Sequence, residues 1–207
     1  MKYYKSATTN VILKYQKVDD NVVFEGNTYE IPAFTQLTDD SNTINYVTLV
    51  PVTIPTEASN RSYPTIEVIE GIAQDFSING NTTITVDNLD SDYKLYFSES
   101  MIAQNGIFIY NKNELNTPWD VVDNLESTQL GQKVFKFGVA PNTNTCYLEF
   151  PQDAATLFES GIKIKYIITS GVEGNISAGT LSTIANDIVI KDSKNKEVNL
   201  KNCTLIS

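Results

Sequence analysis

From Gly161 to Gly171 the chain reads Gly-Ile-Lys-Ile-Lys-Tyr-Ile-Ile-Thr-Ser-Gly, with apolar and charged residues in alternation. Successive side chains of an extended chain point to opposite faces, so Ile162, Ile164, Tyr166 and Ile168 share one face and Lys163 and Lys165 the other. A helix would mix the two sets, whereas a half-buried strand separates them. The same period of two, carried by β-branched and aromatic residues, recurs at 22–24, 29–31, 45–50, 65–69, 82–86, 94–97, 106–110, 134–137, 146–150 and 188–190. Clusters of Asn, Asp, Gly and Pro punctuate it, among them Glu25-Gly-Asn27, Asn79-Gly-Asn81 and Pro141-Asn-Thr-Asn-Thr145.

The pattern predicts a mainly β protein of small antiparallel domains, hairpins and meanders in a sandwich-like arrangement, with few short helices. Segments 22–24 and 29–31 read as a hairpin, and 134–137, 146–150 and 161–170 as a meander. Pro51 and Pro55 bracket an extended piece that is confined to a sheet edge or stands alone, because proline cannot donate to a ladder. Short helices are expected at 152–158, behind Pro151, and at 113–115. The Pro-, Ser- and Asn-rich stretch from Pro55 to Pro64 is the best seam. It divides the chain into a hairpin-rich unit at 1–60, a larger β unit at 61–185, and a C-terminal strand and tail at 186–207 that carries four lysines.

Composition narrows the chemistry. In 207 residues, 41% hydrophobic and 19% charged residues support a packed core rather than a disordered chain. Fifteen Lys and Arg against 25 Asp and Glu give a formal net charge of −10, which opposes binding to nucleic acid and to anionic lipid. There is no histidine, so Ser-His-Asp and Cys-His nucleophile systems and His-ligated zinc are excluded. Cys146 and Cys203 are too few for a disulfide framework and do not form a C-x-x-C pair; they read as reduced thiols of a protein made in a cytoplasm. No secretory signal opens the chain and no apolar stretch has the length of a transmembrane helix, so membrane insertion is not expected.

The remaining candidates for chemistry are weak. Asp87, Asp90 and Asp92 are close enough to ligate calcium, but they lack the glycine and distal glutamate of an EF-hand and fit a turn better. Asp120, Asp123 and Glu126 behind Trp119 match an acid and base for glycoside cleavage only loosely, and Asp39-Asp40-Ser41-Asn42 reads as a turn. Gly171-Val-Glu-Gly174-Asn175-Ile-Ser-Ala-Gly179 lacks the Lys of a phosphate loop. Trp119, the only tryptophan, is expected in the core, with stacking on a glycan as the alternative. No catalytic, cofactor or metal residues are expected.

One succession of segments carries a resemblance. Trp119-Asp-Val-Val-Asp-Asn-Leu125, Gln132-Lys-Val-Phe-Lys-Phe137, Cys146-Tyr-Leu-Glu-Phe150, Phe158-Glu-Ser-Gly-Ile-Lys-Ile-Lys-Tyr166 and Thr169-Ser-Gly-Val-Glu-Gly-Asn-Ile176 occur in that order. The order resembles the baseplate J-like family, which includes the inner-ring wedge subunit of the T4-like phage baseplate. Upstream, Ile31-Pro-Ala-Phe-Thr-Gln-Leu37, Val52-Thr-Ile-Pro55 and Ile66-Glu-Val-Ile-Glu-Gly71 are similar to the extended segments that precede this block, so the resemblance spans residues 20–185. Pro151-Gln-Asp153 stands where the family has Gly-Asp-Gly.

The resemblance implies a non-enzymatic virion structural protein of a bacteriophage, placed in the contractile-tail baseplate or a related injection apparatus and assembled in the host cytoplasm. It implies Trp119, Phe150, Gly161, Tyr166, Gly171, Gly174 and Asn175 as structural motif residues. The implied partners are other baseplate and tail proteins, with self-association or ring assembly. Because family members are longer, the remaining contacts are expected from other chains. A glycan-binding or adhesion β module is the alternative reading.

Overall fold

The computed structural model describes residues 7–13, 28–39, 41, 43–55, 65–115, 117–171, 176–177, 180–185, 189–191, 197–199 and 205–206. As the alternation predicts, it is mainly β, with strands numbered β1 to β17 in chain order and one short α-helix among the described residues. A six-stranded antiparallel sheet runs β14 (Thr183–Ile184), β3 (Gln36–Thr38), β4 (Asn45–Thr48), β6 (Thr65–Glu70), β1 (Thr8–Leu13), β17 (Leu205–Ile206). A four-stranded sheet runs β10 (Asp120–Val121), β11 (Val134–Val139), β12 (Cys146–Glu149), β8 (Lys94–Tyr96), antiparallel except for the parallel β10–β11 pair. A third sheet places β13 (Ile162–Ile168) between β7 (Ile72–Asp75) and β9 (Ile102–Asn111). Two-stranded ladders join β2 (Thr28–Ile31) to β5 (Val52–Pro55) and β15 (Val189–Lys191) to β16 (Glu197–Asn199).

The chain groups into two compact units, Gln74–Thr169 and the described parts of Ser6–Ala73 with Ser170–Ser207. Both are built from pairings that composition does not mark, whereas composition divides the chain at consecutive positions; residues 56–64, the expected seam, lie outside the described residues. The unit at 74–169 buries Leu95, Phe97, Ile109, Trp119, Phe135, Leu148, Phe150, Ile162, Ile164 and Tyr166 in one core. The other buries Val11, Ile31, Leu37, Tyr46, Val52, Val68, Leu181 and Ile184. Within the second unit the returning segment is tied to the earlier one. The buried Glu70 carboxylate accepts the backbone N–H of Ser170 at 2.8 Å, and the N–H groups of Ser182 and Ala185 donate to the carbonyls of Thr38 and Gln36 at 3.1 and 2.8 Å.

The strand at 162–168 forms as read, but it pairs elsewhere. Strands β11 and β12 do make an antiparallel pair, with Phe137 opposite Leu148, yet β13 leaves that sheet and pairs with β9 instead of completing a meander. Helix α1 (Ala154–Leu157) and the turn behind it redirect the chain, and β9 offers Ile107 and Ile109 opposite Tyr166 and Ile164. The face assignment holds along the strand, although the ladder is irregular at one end. Four residues of β9, 103–106, lie between the partners of Tyr166 and Ile168, while only Ile167 separates those two. Ile168 is half-buried and packs against the same cluster as Ile162, Ile164 and Tyr166, while Ile167, outside that cluster, is buried beside the bulge. Gly106 makes room for it, since a Cβ there would stand 2.8 Å from that of Ile167.

Other segments differ for local reasons. Residues 82–86 form only an isolated bridge, Ile84 to Ile162, before the 3₁₀ turn Val86–Asn88, because the Asn88 side chain accepts the N–H of Thr85 and closes that turn. Residues 113–115 make a turn closed by the Glu114 N–H on the Asn111 carbonyl at 2.9 Å. Of the expected hairpin, 22–24 lies outside the described residues and 29–31 belongs to β2, whose described partner is β5. Among the described residues the proline-bracketed β5 has this one neighbour, as an edge strand should. Strand β1, not expected from the sequence, alternates Val11 inward with Asn10 and Ile12 outward.

Gly161 starts β13 at φ +79°, and a Cβ there would meet Thr83 Cγ2 at 2.6 Å. Both the backbone and the space favour glycine. Gly161→Ala is therefore expected to destabilise the protein by about 1–3 kcal/mol, measured as a lower urea midpoint with an unchanged slope.

Candidate functional site

The motif residues that the structure describes are core and turn elements. Trp119 is 4% exposed, donates its indole N–H to Asn111 Oδ1 at 2.7 Å, and meets Phe150 and Phe158 edge-on at ring centroid distances of 6.0 and 5.8 Å. Phe150 and Phe158 are themselves 5.0 Å apart and perpendicular. All three edge-to-face contacts suit the ring quadrupoles, and Trp119 has no face left for a sugar. Tyr166 joins a second cluster, 5.0 Å from Phe97 and 6.5 Å from Phe76. Burial, and then the carboxylate of Glu99, push its hydroxyl up to about 12. Gly161 and Gly171 take positive φ, and Gly174 and Asn175 lie outside the described residues.

The acidic segments resolve into turns. Asp90 accepts the N–H groups of Asp92 and Lys94 at 2.9 and 2.8 Å, an Asx turn that leads into β8. Asp39 accepts the N–H groups of Ile44 and Thr43 and the hydroxyls of Ser41 and Thr43, which hold its carboxyl well below the usual range. Asp120, Asp123 and Glu126 are exposed, the last on the 3₁₀ turn Leu125–Ser127 that Asn124 caps. Among the described residues no group of three or more His, Cys, Asp or Glu is placed to hold a metal ion. Cys146 is buried, with its thiol on the Ser100 carbonyl and pushed up by burial; Cys203 lies outside the described residues.

What the sequence did not reveal is a half-open groove of about 690 Å³ in the unit at 74–169. Three segments line it: the approach to β8 from Ser91 to Lys94, the stretch around the 3₁₀ turn from Leu125 to Leu130, and the exit of β12 from Glu149 to Asp153. The Phe150 N–H donates to the Tyr93 carbonyl at 3.0 Å and the Gly131 N–H to Asp153 Oδ2 at 2.6 Å, so one backbone bond and one bond to a side chain tie the lining segments together. Tyr93 is half-buried at φ +58°, a left-handed backbone that a bulky residue adopts at a cost. Burial opposes the charge on Lys94, but Glu149 and then Asp92, 3.8 Å away, outweigh it and hold the ammonium protonated. Lys94 also stands 5.4 Å from the centre of the Tyr147 ring. That ring crosses Gly138 and tilts against Tyr96 at 5.8 Å.

No family model matches the chain, and no curated protein matches it. Among the described residues, no helix is long and apolar enough to cross a membrane.

Two measurements check these assignments. Trp119→Ala should cost about 3–5 kcal/mol of stability, seen by circular dichroism during urea unfolding, because it empties a site between two phenyl rings. The Tyr166 hydroxyl keeps its proton in the fold up to about 12, while an unfolded tyrosine loses it near 10. Folding therefore holds more protons above pH 10, and stability should fall by roughly 1 kcal/mol per pH unit up to about 12. Tyr166→Phe should flatten that slope in thermal denaturation between pH 9 and 12.

Proposed function

We propose that the chain is a structural component of a contractile-tail phage baseplate, a wedge or inner-ring subunit, or of a related injection apparatus. The observation that carries this reading is the order of segments from Trp119 to Asn175. In that reading the protein resides in the virion tail, is assembled in the host cytoplasm, and acts through contacts with other baseplate and tail proteins and with further copies of itself rather than by catalysis. Its β units hold a ring of wedges around the tail hub and rearrange when the sheath contracts.

The architecture supports a role carried by surfaces. Sheet edges present backbone groups that pair with a partner strand, and among the described residues β8, β10, β14 and β17 end their sheets. Large apolar side chains stand exposed at Val50, Val121 and Leu130, the last 87% exposed at a turn. The motif residues Trp119, Phe150 and Tyr166 spend their surface inside the core, as scaffold residues do.

Cryo-electron microscopy of the particle that contains this chain tests the reading. The expected result is density for the chain in a ring around the tail hub, with sheath and tube proteins identified in the same particle by mass spectrometry. A protein found outside any ring-like assembly would overturn it.

A further inference from the structure

The groove beside Tyr93 combines three properties that point to one class of ligand. The first is an aromatic ring that lines an open cleft. Tyr93 packs against the core, remains half-buried, and keeps its ring on a left-handed backbone at φ +58° that glycine or asparagine would adopt at less cost. The second is a set of planar polar groups that line the same cleft. Gln129 and Gln152 offer amides, and the carboxylates of Asp92, Glu126, Glu149 and Asp153 are acceptors for hydroxyl donors. The third is charge. Four carboxylates line the groove against one ammonium, that of Lys94, which Glu149 and Asp92 already engage.

A sugar ring has the complementary chemistry. Its C–H face packs on an aromatic face, and its hydroxyls need acceptors and donors at the rim. The excess of carboxylates repels sialylated, sulfated and phosphorylated ligands. A volume of about 690 Å³ lies within the ordinary range for small-ligand sites. We infer that this groove binds an uncharged oligosaccharide, with Tyr93 as the stacking surface and the carboxylates and amides taking the hydroxyls. The inference stands apart from the scaffold reading, because it rests on the groove alone.

The test offers the 207-residue chain to an array of neutral, sialylated and sulfated oligosaccharides, with a Lys/Arg-rich peptide as a separate probe. Neutral saccharides should bind, and Tyr93→Gly should weaken them by at least about tenfold, the loss of one stacking contact. Glycine accepts the left-handed backbone, so this variant should keep its fold, with the melting temperature as the check. Gln152→Ala, at an exposed position, should weaken binding in the same direction and decides the matter if Tyr93→Gly does not fold. No binding across the neutral panel, binding that survives both substitutions, a preference for anionic sugars, or binding of the peptide alone would each overturn the inference.

Discussion

Strand β13 has to bury Ile162, Ile164, Tyr166 and Ile167 while satisfying the backbone groups between them, and the pairing with β9 does both at once. Each such side chain stabilises the fold by ~1.5–3 kcal/mol relative to leaving it in water. The pair then serves as a frame. On one side, Ile162 bridges to Ile84, and the Phe76 N–H donates to the Ile164 carbonyl at 2.9 Å, which brings the ring of Phe76 to Phe97 and Tyr166. On the other, the Trp119 N–H donates to the Ile109 carbonyl at 2.8 Å, which delivers the indole to Phe150 and Phe158. Without the β9–β13 ladder neither aromatic cluster has a reason to assemble.

The same frame supports the groove. Phe150 is both a member of the aromatic triad and a lining residue, and its N–H donates to the Tyr93 carbonyl. Core packing thus fixes the segment from Glu149 to Asp153, and Asp153 in turn holds the Gly131 N–H of the facing turn. Polar groups held by backbone bonds over a packed floor need little ordering when a ligand arrives, which favours binding. The proposed scaffold role would draw on the sheet edges, and the inferred saccharide site on the cleft around Tyr93.

Local readings of the chain succeeded where one face of one segment carried the information. Ile162, Ile164 and Tyr166 are buried as their spacing requires, Asp90 closes a turn, the prolines leave β5 with one partner, and Trp119 is core. They failed where a partner decides. The extra residues of β9 beside which Ile167 is buried, on the face that carries Lys163 and Lys165, are encoded in the strand opposite. Thr82 to Val86 has the composition of a strand but is captured by Asn88. Tyr93 gave no signal, because the sequence Asp90-Ser-Asp-Tyr93 reads as an ordinary turn and its positive φ depends on the bonds Asp90 makes to Asp92 and Lys94.

By itself, then, the order of residues determined the class of fold and much of the inner face of each strand, because the period of side chains along an extended backbone is a property of the segment alone. It also determined, by the lack of histidine, that no chemistry requiring an imidazole can come from this chain. Only the tertiary structure decided that β13 pairs with β9 rather than β12, that Glu70 receives the N–H of Ser170 from 100 residues away, and that Tyr93, Gln152 and Asp153 line one groove. Strand edges are chemically alike along any sheet, so the choice among partners belongs to whichever arrangement buries the most apolar surface with its hydrogen bonds complete.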